Sequence, residues 1–186
     1  MLRIVDILCA VLIALIFSPV ICFCILYVWI GIGTPLFLQH RVGKQGRLFK
    51  LVKFRTLPAG TPQLPTHELG SIHISPLGRF LRLSKLDELP QLWNVIVGDM
   101  SMVGPRPCLV SQTQLLAERS SRQLDLVKPG ITGLAQIKGI DMSTPRKLAR
   151  VDAIMMHKMG LCFYVQILLQ TIIRSERSRS GRGLIK

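Results

Sequence analysis

Residues 7 to 30 read ILCAVLIALIFSPVICFCILYVWI, a run of 24 residues without a charged side chain. At about 1.5 Å of rise per residue this stretch supplies roughly 36 Å of helix, against a bilayer core about 30 Å thick. It is too long and too rich in large side chains for the apolar part of a signal peptide. It also lacks a positive leader of ordinary size and a small-residue cleavage site, so it is expected to stay on the protein. Ser18-Pro19 falls almost at its centre. Proline removes a backbone donor and clashes with the preceding turn, and the Ser18 hydroxyl offers a local bond to the freed carbonyls. A kink is therefore expected there. A kinked helix can span the bilayer or bend back into the leaflet it entered, and the apolar pattern leaves both open. Arg3 and Asp6 precede the run, and His40, Arg41, Lys44, Arg47, Lys50, Lys53 and Arg55 follow it. That positive flank places the following region on the cytoplasmic side, and Tyr27 and Trp29 fit an interfacial aromatic belt.

The composition points the same way. Of 186 residues, 49% are hydrophobic, and 24 Lys plus Arg oppose 10 Asp plus Glu, for a net charge of +14. The length suits one domain with a real core. A disordered basic tail is excluded, because its apolar content would be far lower. A chain both apolar and basic asks for an apolar phase and a polyanion. Membranes with anionic headgroups provide both, and nucleic acid only the second. The five cysteines form no CxxC pair, so neither zinc nor thioredoxin chemistry is indicated. Reduced, structural thiols are expected. The four histidines are scattered, no phosphate-binding glycine motif of the Walker or GxGxxG type occurs, and 6% aromatics provide no base-stacking stripe.

Residues 36 to 57 read as an extended basic segment with a turn at Gly43 and Gly46 and a short strand over Leu48–Val52. Residues 58 to 76, rich in Pro, Gly, Thr and His, read as a loop. A helix is expected from about Pro76. Leu77, Phe80, Leu81 and Leu83 or Leu86 cover one side of it, and Arg79, Arg82 and Lys85 the other, a pattern that suits a membrane surface or an ordinary packed helix. Further helices are expected over Asp87–Ile96, ended by Gly98, over Leu109–Asp125 and over Pro145–Met159. A turn-rich stretch covers Gly98–Pro107, and a Pro-Gly turn and strand-like run cover Lys128–Gly139. Leu161–Ile173 is too short to span and reads as a core or interfacial helix. Arg174, Arg177, Arg179, Arg182 and Lys186 form a basic tail.

Among ten carboxylates only Asp87 and Glu88 are adjacent. Acids are favoured at a helix N-terminus by the macrodipole, which is the commoner reason for such a pair. Two acids beside clustered arginines can also hold a divalent metal and a phosphate together, one attacking phosphorus while the other binds the metal. Arg106 lies between Pro105 and Pro107, which stiffen the backbone and aim a guanidinium suited to bidentate phosphate binding. Lys128, Gly130 and Gly133 form a weak phosphate-cradle pattern, common in ordinary turns.

Three strings occur in order: RLSKLDELPQLWNV (82–95), GDMSMVGPRP (98–107) and KPGITGLAQ (128–136). With Arg3-x-x-Asp6, the apolar run with Ser18-Pro19, Gln39-His-Arg41-Val-Gly43 and Lys53-Phe54-Arg55-Thr56, they closely resemble the bacterial sugar transferases, the monotopic phosphoglycosyl transferases that act on polyprenol phosphate. The resemblance covers nearly the whole chain. It implies an α+β, mostly helical fold in two parts. Residues 1–35 would form a re-entrant membrane helix broken at Ser18-Pro19. Residues 36–186 would form a small catalytic domain on the cytoplasmic face, with amphipathic interfacial helices and short strands. It further implies residence in the bacterial inner membrane. The implied reaction transfers a phosphosugar from a UDP-sugar to undecaprenyl phosphate and releases UMP, as a first membrane step of glycoconjugate biosynthesis. Asp87 matches the nucleophile of a ping-pong scheme and Glu88 the ligand of a required Mg²⁺. Arg82 and Arg106 match phosphate-positioning arginines, and Lys53, Arg55, Gln136 and Asp152 fall in motifs that contact substrate.

Some positions depart from the family pattern. Ile140 and Asp141 follow Lys138-Gly139 where many members carry an arginine, and Met155-Met156 replace frequent tyrosines. These bear on the choice of sugar. The chain lacks the multi-span N-terminal region of larger relatives and reads as a minimal catalytic form. Exposed apolar helices could pair two copies as a homodimer. A non-catalytic basic membrane adaptor is the alternative. A nucleic-acid binder is disfavoured because the apolar run would face water at about 25 cal/mol per Å².

Overall fold

The apolar N-terminal run folds as two helices. In a computed structural model, which describes residues 2–58, 61 and 74–180, α1 covers Leu2–Ile16 and α2 covers Ser18–Ile32. Their axes bend by 65° at the break. Pro19 sits in the first turn of α2, where its missing donor does no harm. Ser18 Oγ donates to the Leu15 carbonyl at 2.8 Å, the local rebonding expected of it. No single described helix is long and apolar enough to cross a membrane, but the bent pair is long and apolar enough together. Leu8, Leu12, Leu15, Phe23, Trp29 and Ile30 are exposed on this pair.

Inward, α1 is fastened by two polar side chains. Arg3 donates to the Val95 and Ile96 carbonyls at 2.6 and 2.9 Å. Asp6 is 4% exposed. It accepts from Ser101 Oγ, from the Met102 backbone N–H at 2.7 Å and from Tyr164 Oη. A buried carboxylate is tolerable only when hydrogen-bonded in this way.

The extended basic segment forms an antiparallel hairpin. β1 (Leu36–Val42) pairs with β2 (Leu48–Phe54), His40 opposite Lys50. The expected glycine turn is a short 3-10 stretch, Lys44–Gly46, with Gln45 and Gly46 at positive φ. Helix α3 (Pro76–Ser84) is capped by Ser75, whose side chain accepts from the Gly78 N–H. The apolar side expected of it is only partly buried. Gly78 lies so close to the Thr56 carbonyl that an added Cβ would stand 2.6 Å away. The buried line therefore runs Gly78–Leu81–Ser84, leaving Phe80 and Leu83 exposed. The loop expected over 58–76 lies almost wholly outside the described residues, as do the side chains of the basic tail.

The helix expected from Asp87 begins later. Lys85 adopts a left-handed conformation (φ 63°) that ends α3, Leu86–Glu88 form a 3-10 turn, and α4 covers Gln91–Val97 before Gly98 at φ 103°. Inside the stretch read as turns, β3 (Ser101–Val103) pairs in parallel with β4 (Gly130–Thr132). The strand-like run thus ends early and continues as the short helix α6 (Leu134–Ile137). Helix α5 covers only Thr113–Ser120, because Gln123 turns left-handed and Leu124–Leu126 form a 3-10 turn. Helix α7 (Pro145–His157) and helix α8 (Leu161–Ser180) follow. Tyr164 and Ile167 of α8 enter the core, while Val165, Leu169, Ile172 and Ile173 are exposed. The main core joins Ala10 of α1, Phe49 and Leu51 of β2, Leu92 and Val95 of α4 and Met155 of α7.

Candidate active site

The 3-10 turn delivers Asp87 and Glu88 to the hairpin and to the proline-flanked loop. Its direction is fixed on both sides. Asn94 of α4 donates to the Lys50 carbonyl at 2.8 Å and accepts from the Val52 N–H at 3.0 Å, which fastens the helix after the acids to β2. On the other side Arg82, at the end of α3, donates through Nε to Thr56 Oγ1 at 2.8 Å.

The two carboxylates are treated differently. Glu88 Oε1 accepts from Lys53 Nζ at 3.1 Å and from Arg106 Nη2 at 2.7 Å. Burial works against its charge, but Arg106 and Lys53 prevail and hold the carboxyl well below the usual range. Asp87 takes no hydrogen bond or ion pair from the described residues. Burial first, and Glu88 second, raise its pKa to about 6, against the pull of Lys53, Arg82 and Arg106. One acid is thus fixed as an anion within a cation cluster, and its neighbour is left unengaged beside the same cations.

Arg106 is aimed from behind as well as by its prolines. Arg119 is buried, donates to the Arg106 carbonyl at 2.9 Å, and pairs with Asp152 at 3.0 Å. The loop is further tied to β1, where Val42 N–H donates to the Cys108 carbonyl at 3.0 Å and Arg41 Nη1 to the Pro107 carbonyl at 3.3 Å. Two glycines permit the approach of β3 and β4 beneath it. Gly104 N–H donates to the Thr132 carbonyl and Gly130 N–H to the Pro105 carbonyl, each at 2.9 Å. Gly130 and Gly133 are therefore packing glycines set against Gly104, and not a phosphate cradle.

A cavity of about 500 Å³ adjoins the acids' partners. Arg41, Lys53, Lys85 and Arg106 line it, together with Gln112, Gln136, Asp141, Asp152 and the apolar Leu109, Ala135, Met142 and Leu148. Four cations against two carboxylates leave the lining net positive, which favours an anionic ligand. Of the residues singled out from the sequence, Arg82, Asp87, Glu88, Lys53 and Arg106 converge. Gln136 and Asp152 stand in the cavity wall, Gln136 Nε2 donating to the Ile131 carbonyl at 2.9 Å and Asp152 held by Arg119. Arg55 lies elsewhere: it donates to the Thr34 and Leu36 carbonyls and sits 5.8 Å from the Phe37 ring centroid. Asn94, Arg119 and Arg41 were missed. Arg41 stands in a matched motif, but from the sequence it is only one of several flanking charges. Arg119 carries no signal, since one arginine in a helix ordinarily faces water.

The comparisons concern the chain as a whole. The sequence profile of the bacterial sugar transferases matches residues 1–177. The chain belongs to this family. It is 36% identical over 171 residues to the uncharacterized sugar transferase EpsL of Bacillus subtilis, covering 91% of this chain and 84% of that protein. It is 35% identical over 143 residues to the UDP-glucose:undecaprenyl-phosphate glucose-1-phosphate transferase of Caulobacter vibrioides, covering 74% of this chain and 54% of the relative. It is 34% identical over 158 residues to the undecaprenyl-phosphate galactose phosphotransferase of Salmonella typhimurium, covering 74% and 32%. This bacterial sugar transferase thus spans most of the Bacillus protein and about half or a third of the other two.

Proposed function

We propose that the chain transfers a phosphosugar from a UDP-sugar to undecaprenyl phosphate and releases UMP, by a ping-pong route through a covalent aspartyl intermediate. The observation that carries this reading is the asymmetry of the acid pair: Glu88 is tied by Lys53 and Arg106, and Asp87 beside it is unengaged and half-desolvated. A carboxylate that gives up hydration without gaining a partner is the better nucleophile. Its oxygen would attack the β-phosphorus. That O–P bond forms as the bond from phosphorus to the bridging oxygen breaks, and the electron pair leaves on UMP. Polyprenol phosphate then attacks the same phosphorus and frees Asp87. Arg82, Lys53 and Arg106 face the charge spread over the phosphoryl oxygens.

No group of three His, Cys, Asp or Glu side chains among the described residues is placed to hold a metal. Magnesium is usually held through one or two carboxylates completed by substrate phosphates. Asp87 and Glu88 are the carboxylates available, and the resting role of Lys53 and Arg106 is to balance Glu88. When bound, the ion would neutralise charge on the transferred phosphoryl group.

The exposed apolar side chains of α1 and α2, bent at Ser18-Pro19, fit a re-entrant seat in one leaflet. On this reading the site faces the cytoplasm at the inner membrane, where UDP-sugars and the lipid phosphate meet. The basic surface rests on anionic headgroups.

Two measurements test the reading. UMP release from a panel of UDP-sugars, with undecaprenyl phosphate and Mg²⁺, is expected for at least one sugar, with an equal amount of lipid-linked product. Silence with every sugar contradicts it. The pH dependence of kcat/KM reports the free enzyme's essential groups. Because Asp87 must be ionised to attack and its pKa is raised to about 6, log kcat/KM is expected to fall with a slope approaching one below that pH. A profile flat down to pH 5 contradicts the assignment.

A further inference from the structure

Arg41 differs from the other cations of the site in its partners. Lys53 and Arg106 share Glu88, and Arg119 has Asp152. Arg41 has no carboxylate partner among the described residues. Its Nη2 donates to the Gln39 amide oxygen at 2.6 Å, its Nη1 to the Pro107 carbonyl, and its buried Nε finds no acceptor. A desolvated guanidinium bonded only to neutral oxygens has no counter-charge in contact with it, Glu88 acting on it only at a distance. Burial, followed by the like charge of Arg106, lowers its pKa to about 10, against the weaker pull of Cys108 and Glu88. Both ends of the guanidinium fork are held, so it is pre-organised for an anion.

Its place along the hairpin indicates which anion. Phe37 stands opposite Lys53, so Lys53 shares a sheet face with Phe37 and, four residues on, with Arg41. Their backbone origins lie about 13 Å apart along the strand. Both side chains reach the same cavity, Lys53 bonded to Glu88 and Arg41 to the Pro107 carbonyl. Arg106 lies between them in contact with Glu88, and its own neighbour Pro107 is held by Arg41. In an in-line displacement the attacking and leaving oxygens lie on opposite sides of phosphorus. With Asp87 on the Glu88 side, the leaving side points to Arg41.

We propose that Arg41 binds the α-phosphate of the nucleotide and receives the charge that builds there as UMP leaves. This rests on the transferase reading above and adds a residue to it. No proton is required: the bond from β-phosphorus to the bridging oxygen breaks with its electron pair staying on the α-phosphate, next to a cation whose direct partners are neutral oxygens.

The test compares UMP with uridine as ligands of the full chain in detergent, by calorimetry. Wild type is expected to prefer UMP. Arg41→Gln is expected to shrink that preference by about tenfold or more, the scale of a lost hydrogen bond to a charged group, while uridine affinity stays within about twofold. Arg41→Lys should retain part of the preference. An undiminished preference in Arg41→Gln overturns the proposal. So does an equal loss for both ligands, which is what a merely structural role would give. A wild-type protein that binds UMP no better than uridine instead contradicts the transferase reading itself.

Discussion

Asp87→Asn is expected to reduce UMP release by on the order of 10⁴-fold or more, the scale seen when a covalent nucleophile is removed. Covalent labelling by the UDP-sugar should vanish, and membrane association should remain. The structure makes this a clean variant. Asp87 makes no hydrogen bond or ion pair with described residues, so the amide breaks nothing. Its folded-state pKa of about 6 lies above the unattached value of 3.8. The folded protein therefore binds more protons than the unfolded one between these values, and ionised Asp87 lowers stability as pH rises through that window. Asparagine removes that cost, so thermal stability at pH 7 should be unchanged or slightly higher. Loss of turnover without loss of stability separates a reacting group from a structural one. Full turnover in the variant would remove Asp87 from the mechanism.

Gly130→Ala is expected to be the most destabilising of single-methyl additions, by on the order of 4 kcal/mol or more. A Cβ there would stand 2.0 Å from the Gly104 nitrogen and 2.6 Å from its Cα, all backbone. Neither strand can yield without losing the Gly130 N–H bond to the Pro105 carbonyl, and with it the base on which Arg106 stands. A thermal unfolding scan in detergent is the check. Gly160→Ala serves as control, because an added Cβ there meets nothing within 4 Å, and it should stay within about 0.5 kcal/mol of wild type. Equal midpoints for both variants would contradict the packing account.

These variants also mark what could be read from the chain alone. The break at Ser18-Pro19, the turn at Gly43 and Gly46, and the stop at Gly98 were legible because each rests on local backbone chemistry; the pairing of β1 with β2 was not. Arg106 was legible because its prolines adjoin it. The partners that aim it were not. Arg119 lies 13 residues from Arg106 and 33 from Asp152, and no pattern in a helix marks such a pairing. Gly130 and Gly133 were read as a weak phosphate cradle, since a packing glycine and a ligand glycine look alike until the neighbouring strand is in place. The start of α4 was misplaced because a left-handed Lys85 has no sequence mark of the kind that glycine supplies. Asp6 was legible as a motif member, but its bond to Met102, 96 residues away, belongs to the tertiary fold.

The central claim is that Asp87 carries the phosphosugar between two half-reactions. The most direct measurement mixes stoichiometric protein with a UDP-sugar it accepts and Mg²⁺, in the absence of polyprenol phosphate. It follows UMP and the intact mass of the protein. The account predicts a burst approaching one UMP per chain, with the protein heavier by one sugar phosphate located on Asp87. Strict silence until polyprenol phosphate is added, with no mass change at any time, would mean direct transfer and would contradict it.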